Sequence, residues 1–148
     1  MIDRIEKHIE LKAPIERVWR ALTDHREFSE WFKAKIDSPF QPGETIRGQN
    51  ACPGYEHASF EVKVLKMEAP RFFSYTWHPY AIDPKMDYSQ ETPTLVEFWL
   101  EPIPAGTRLR VVESGFEKLP PHRRSEALRT HEPGWIQQLE NIKTHVER

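Results

Sequence analysis

Residues Thr94–Phe116 read TLVEFWLEPIPAGTRLRVVESGF, two alternating runs joined by a proline- and glycine-containing turn. Successive side chains of a strand point to opposite faces, so this stretch predicts an antiparallel hairpin with PIPAG as its turn. One face carries Val96, Phe98 and Leu100 opposite Leu109, Val111 and Glu113. The other carries Glu97, Trp99 and Glu101 opposite Arg108, Arg110 and Val112, the acid–base pairing of a solvated face. The first face is therefore core, and Glu113 is its exception. An unpaired buried carboxylate is costly, so Glu113 needs a compensating group. Two readings follow. It is a ligand anchor, or a general acid or base with a raised pKa; alternatively it lies partly wet near the strand end, or bonded to an arginine or a helix residue such as His131.

Outward from the hairpin, KAKID, GETIRGQN, ASFEVKVLKMEA and RFFSYTWHP are further short alternating runs separated by turn residues, and predict successive antiparallel strands. If Phe73, Tyr75 and Trp77 point inward they share the space beneath the hairpin; alternation alone leaves open the opposite parity, with Phe72, Ser74 and Thr76 inside. The connection HPYAIDPKMDYSQETPT is long for a hairpin and carries Tyr80 and Tyr88, which suits either a lid or a self-packed surface loop.

At the N-terminal end, Ile5, Ile9 and Leu11 alternate with charged residues as in a strand with one buried face, although Lys7 interrupts the inner row. Ile15, Val18, Trp19 and Leu22 then form an amphipathic helical stripe behind Pro14, and Phe28, Trp31 and Phe32 mark a second short helix after a break near Thr23–His25. The C-terminal segment from about His122 is helical, with Ala127, Leu128, Trp135, Leu139, Ile142 and Val146 on its apolar stripe. Pro133 and Gly134 predict a kink or hinge just before Trp135.

Composition narrows the function classes. A chain of 148 residues with net charge -2 and no block of like charges lacks the basic footprint of a nucleic-acid binder. Its charged N-terminus reads as neither a signal peptide nor a membrane span. The lone Cys52 lies in a Pro-Gly turn and suits a reducing cytoplasm, and the seven histidines show no metal-ligand spacing. Neither a nucleophile elbow nor a phosphate-cradling or dinucleotide motif occurs. No cofactor and no metal are expected.

The ordered motifs API-RVW-ALTD, F-EWF, PGE, TLVEFWLEP with GTRL, VVESGF and GW-QQLENIKTHVE extend over nearly the whole chain. In this order and spacing the chain resembles the homologues of the activator of the heat-shock-protein-90 ATPase, within the SRPBCC or START-like superfamily. The resemblance implies one α+β domain spanning 1–148 with the helix-grip fold: a curved antiparallel sheet of six to seven strands around a long C-terminal helix, with two short helices after the first strand. It also implies a cavity for apolar ligands between sheet and helix.

The leading expectation is a binder of a small aromatic or lipid-like molecule rather than an enzyme. Its site would comprise Trp31, Phe73, Tyr75, Trp77, Phe98, Glu113, His131 and Trp135, with Glu113 and Tyr75 giving polar orientation; a solid aromatic core is the alternative. The family name brings a second expectation, a co-chaperone-like regulator with a protein partner, for which exposed Trp99 is the only hint. A cofactor-free cyclase or hydrolase moving a proton through Glu113 is the third.

Overall fold

A computed structural model of the chain describes residues 4–51, 58–79, 81 and 85–148. The readings placed on Cys52, His57 and Tyr80 lie outside the described residues. Strand β1 (Arg4–Leu11) leads into helices α1 (Ile15–Thr23) and α2 (His25–Phe32). Strands β2 (Ala34–Ile36), β3 (Thr45–Asn50), β4 (Ser59–Glu68), β5 (Phe72–Trp77), β6 (Thr94–Ile103) and β7 (Gly106–Ser114) follow. A 3-10 turn at Phe116–Lys118 then precedes helix α3 (Pro121–Val146).

All neighbouring strands pair antiparallel in one open sheet, in the order β1-β7-β6-β5-β4-β3-β2. The hairpin register matches the alternation: Val96 faces Glu113, Phe98 faces Val111 and Leu100 faces Leu109. Gly106 opens β7 because a Cβ there would stand 2.2 Å from the Leu11 carbonyl oxygen, so β1 can close against the hairpin only if this position lacks a side chain. In β5 the inner row is Phe73, Tyr75 and Trp77, which resolves the open parity. The outer residues Phe72 and Ser74 are nevertheless also buried, Phe72 beneath the Trp99 ring at a centroid distance of 4.3 Å.

The helices close the inner face. Asp24 ends α1 and caps α2, accepting from the backbone N–H of Arg26 and Glu27 at 2.9 and 3.3 Å. Glu27 then ties the helices together, accepting from Arg20 at 2.9 Å and from buried His145 of α3 at 2.9 Å. The Gln138 side chain donates to the Phe32 carbonyl at 2.9 Å, setting α3 against the end of α2.

Helix α3 runs from Pro121 to Val146 with Pro133 inside it, so the helix does not end at the Pro133–Gly134 step. A mid-helix proline removes the bond to the carbonyl four residues earlier, here that of Arg129. Arg129, Glu132 and Pro133 all lie on the exposed face, where water can take that carbonyl. The buried stripe of Ala127, Trp135, Leu139, Ile142 and Val146 continues past this point.

Candidate functional site

Strand parity turns Glu113 inward near the end of β7, and it is fully buried. Four side chains converge on its carboxylate. Trp77 of β5 donates its Nε1–H to Oε2 at 2.8 Å, and the Thr94 hydroxyl donates to the same oxygen at 2.6 Å. From α3, Trp135 donates its Nε1–H to Oε1 at 2.9 Å, and His131 Nδ1 lies 2.7 Å from that oxygen. Because an ionised carboxylate has no proton to give, His131 Nδ1 is the donor. A carboxylate has about four acceptor positions, so these partners fill it.

His131 and Trp135 are one helical turn apart and reach the same oxygen. That is possible only because the helix continues across Pro133 and Gly134. On the sheet side, Trp77 and Thr94 are register partners flanking the long connection. Glu113 thus joins the gripped helix to the base of that connection through a single side chain.

Burial pushes the Glu113 carboxyl up, but the charge of His131 and the hydrogen bonds from His131, Thr94 and Trp77 more than offset it, leaving its pKa below the ordinary glutamate value. This corrects the expectation of a raised-pKa acid or base. The compensating group is a helix residue, His131, as the structural alternative anticipated.

The aromatic residues pack ring against ring around this polar node. Trp77 stacks on Trp135 at 5.8 Å and meets Tyr75 edge-on at 5.2 Å. Phe98 meets Trp135 at 5.8 Å, and Phe73 lies 5.8 Å from Tyr75. Seven of the expected site residues are therefore brought together. Trp31 sits one ring further out, its indole donating to the Ala21 carbonyl at 2.8 Å to bind α2 to α1. Phe32 reaches the site from that helix, 6.0 Å from Trp77 and 6.4 Å from Trp135.

Tyr75 contrasts with Glu113. Its ring is wholly buried, and its hydroxyl has no hydrogen-bond partner among the described residues. Burial, and then the charge of Glu113, push the phenol well above its ordinary pKa, so it stays protonated and can donate. Trp77 and His131 are half-buried, marking where this aromatic cluster approaches solvent.

Sequence reasoning missed Thr94, Phe32 and a second polar anchor. Thr94 heads the same inward row as Val96 and Phe98, so extending the parity by two residues would have found it. The second anchor is Arg123, in the first turns of α3 and 4% exposed. Its guanidinium grips Glu91 through Nε at 3.0 Å and Nη2 at 3.0 Å, donates to the Pro79 carbonyl at 2.7 Å, and lies 4.7 Å from the Tyr88 ring centre. Both ends of the long connection are thereby strapped to α3. No local periodicity announces a pair 32 residues apart.

A groove of about 310 Å³ also runs between β1 and α3, lined in part by Lys7, Ile9, Ile136 and Leu139. It contains none of the expected site residues. Among the described residues no cluster of three metal-ligating side chains occurs, and no helix is long and apolar enough to cross a membrane.

A seven-stranded antiparallel sheet closed by a long C-terminal helix, with two short helices after the first strand, defines the α+β helix-grip class. The family model described as Activator of Hsp90 ATPase homolog 1-like protein matches residues 12–147, and the chain belongs to that family. Among solved structures, a Mesorhizobium loti protein is similar at 28% identity and TM-score 0.77, over 98% of this chain and 97% of its own. A protein from Arthrobacter aurescens has TM-score 0.79 at 19% identity, over 97% of this chain and 86% of its own. The Aha1 dimer from Colwellia psychrerythraea has TM-score 0.74 at 21% identity, over 99% and 97%. The last two likenesses speak for fold alone. No curated protein matches the chain.

Proposed function

We propose that the protein binds a small apolar molecule, aromatic or lipid-like, at the aromatic interface between the sheet and α3. The observation that carries this reading is the Tyr75 hydroxyl, wholly buried among aromatic rings yet without a partner among the described residues. Buried hydroxyls are nearly always satisfied, and an exception in an otherwise apolar setting is the pattern of a ligand site with few placed polar groups. The ligand enters past half-buried Trp77 and His131.

The Glu113 node favours binding over catalysis. A carboxylate with filled acceptor positions and a lowered pKa is a poor proton shuttle, because each transfer would break part of the packing that holds helix to sheet. A protein-partner role, which the family name brings to mind, has Trp99 as its support: it is 41% exposed on the outer face of the sheet. It already packs on Phe72 and under Arg110, so the inner site is the stronger reading.

Titration with uncharged aromatic and lipid compounds, followed by NMR of the indole N–H signals, tests the proposal. Saturable shifts of the Trp77 and Trp135 signals are expected with at least one compound class. No saturable shift of either signal across a broad set would defeat it.

A further inference from the structure

Glu113 and Tyr75 differ in what they leave available to a ligand. Glu113 is an acceptor whose positions are taken by Trp77, Thr94, His131 and Trp135. Tyr75 has a donor that no described residue takes. The rings meeting Tyr75 are Phe73, Trp77 and Phe98, and the Trp77 N–H is committed to Glu113. Among the wholly buried side chains here, the unspent polar function is therefore an O–H donor in an apolar wall.

Resting on the ligand-binding reading, we propose that the ligand carries an uncharged hydrogen-bond acceptor, a carbonyl or ether oxygen, received by the Tyr75 hydroxyl, and that the site rejects carboxylates. A donor-only group such as an ammonium would leave the phenol unsatisfied. A carboxylate could accept from it, but would lose its hydration in a buried aromatic setting. It would also meet the negative charge of Glu113, the same influence that, after burial, opposes ionisation of Tyr75 itself. A ketone, aldehyde, ester or ether meets neither penalty. Sites built to hydrogen-bond a ligand group discriminate against analogues lacking it, because their own polar group is left unpaired.

Three probe sets of increasing size carry the test: acetophenone with ethylbenzene and benzoate, 2-acetylnaphthalene with 2-ethylnaphthalene and 2-naphthoate, and 2-undecanone with undecane and undecanoate. Affinities are measured by NMR titration for the wild type and for Tyr75→Phe. In the best-fitting set the wild type should prefer the ketone to the hydrocarbon by about tenfold. The carboxylate should bind weakest. In Tyr75→Phe the ketone should fall to the level of the hydrocarbon while hydrocarbon binding persists.

The free variant supplies a second readout. Removing a hydroxyl that has no partner should leave the melting temperature unchanged or raised, whereas a hydroxyl with a structural bond would lower it. Equal binding of ketone, hydrocarbon and carboxylate, or a ketone preference that survives Tyr75→Phe, would overturn this inference and leave the ligand-binding reading standing. If no member of any set binds, that reading falls and this one with it.

Discussion

Two glutamates on adjacent strands show what parity does to a single chemical group. Glu6 and Glu113 stand beside each other in the sheet, since Ile5 pairs with Glu113 and Glu6 pairs with Val112. Glu6 points outward, its side chain 37% exposed, and accepts from Arg4 at 2.9 Å and Arg110 at 3.3 Å. Glu113 points inward, is 0% exposed and accepts from four side chains of β5, β6 and α3. Water competes for every interaction of the first, and for the second only at the half-buried Trp77 and His131. The outer pairs decorate the sheet; the inner node holds the helix to it.

The largest expected effect comes from Glu113→Gln, nearly the same shape without the charge. An amide has one acceptor oxygen and adds two donors, so whichever carboxylate oxygen it replaces, one indole N–H loses its acceptor and Thr94 or His131 must turn to accept. Each buried group so orphaned costs about 1–3 kcal/mol, and breaking a buried ionic network costs about 3–5 kcal/mol. A loss of about 4 kcal/mol in urea unfolding is expected, and a loss below about 1 kcal/mol would show that the node carries little of the fold. Its pH dependence sharpens the comparison. The folded pKa of Glu113 lies below its unfolded value, so its contribution is fully present above the unfolded value of about 4.3 and declines as pH falls through the folded one. The stability gap between wild type and Glu113→Gln should therefore shrink as pH falls below the unfolded value of about 4.3.

The difference between the two glutamates was legible in the sequence because a period of two fixes which face each residue takes. The alternation in TLVEFWLEPIPAGTRLRVVESGF by itself puts Glu113 inside and Arg108 and Arg110 outside. The same parity favoured an inward Tyr75 and Trp77 only conditionally, since RFFSYTWHP has large or small uncharged residues on both faces. What was not legible is long-range. The helical stripe gave Trp135 a buried side but not its registration against Glu113, which depends on how far α3 slides along the sheet. Pro133 meets the same limit: local chemistry predicts a kink, whereas the long-range contacts of His131 and Trp135 place both sides of that point on one carboxylate. Phe32, stacked on Phe28 at 4.7 Å, reaches Trp77 and Trp135, whereas the Trp31 indole is committed to the Ala21 carbonyl. Three aromatics on one short helix do not disclose that division.

Arg123 lies between the two extremes. Like Glu113 it is buried, at 4% exposure, and like Glu6 it relies on ion pairing, here with Glu91 at 10% side-chain exposure. Arg123→Met keeps the apolar stem and removes the fork, leaving Glu91 without this partner in a mostly dry setting. The expected cost is about 2–3 kcal/mol, with faster amide exchange confined to the connection that Arg123 holds. A cost shared evenly by the whole sheet would mean that the strap belongs to the core rather than to the rim of the site.

The smallest effect should come from Glu6→Gln, the same substitution as at Glu113 one strand away. Arg4 loses an exposed pair, and Arg110 keeps its place above the Trp99 ring at 5.5 Å. Exposed ion pairs contribute about 0–1 kcal/mol, and salt screens most of that. Unfolding in low and high salt should therefore separate wild type from Glu6→Gln by less than about 1 kcal/mol, with the gap shrinking as salt rises. A salt-independent loss as large as that of Glu113→Gln would mean that the outer face is not solvated, and that Trp99 and the charges around it belong to a covered surface. Such a result would put the protein-partner reading ahead of the ligand-binding one.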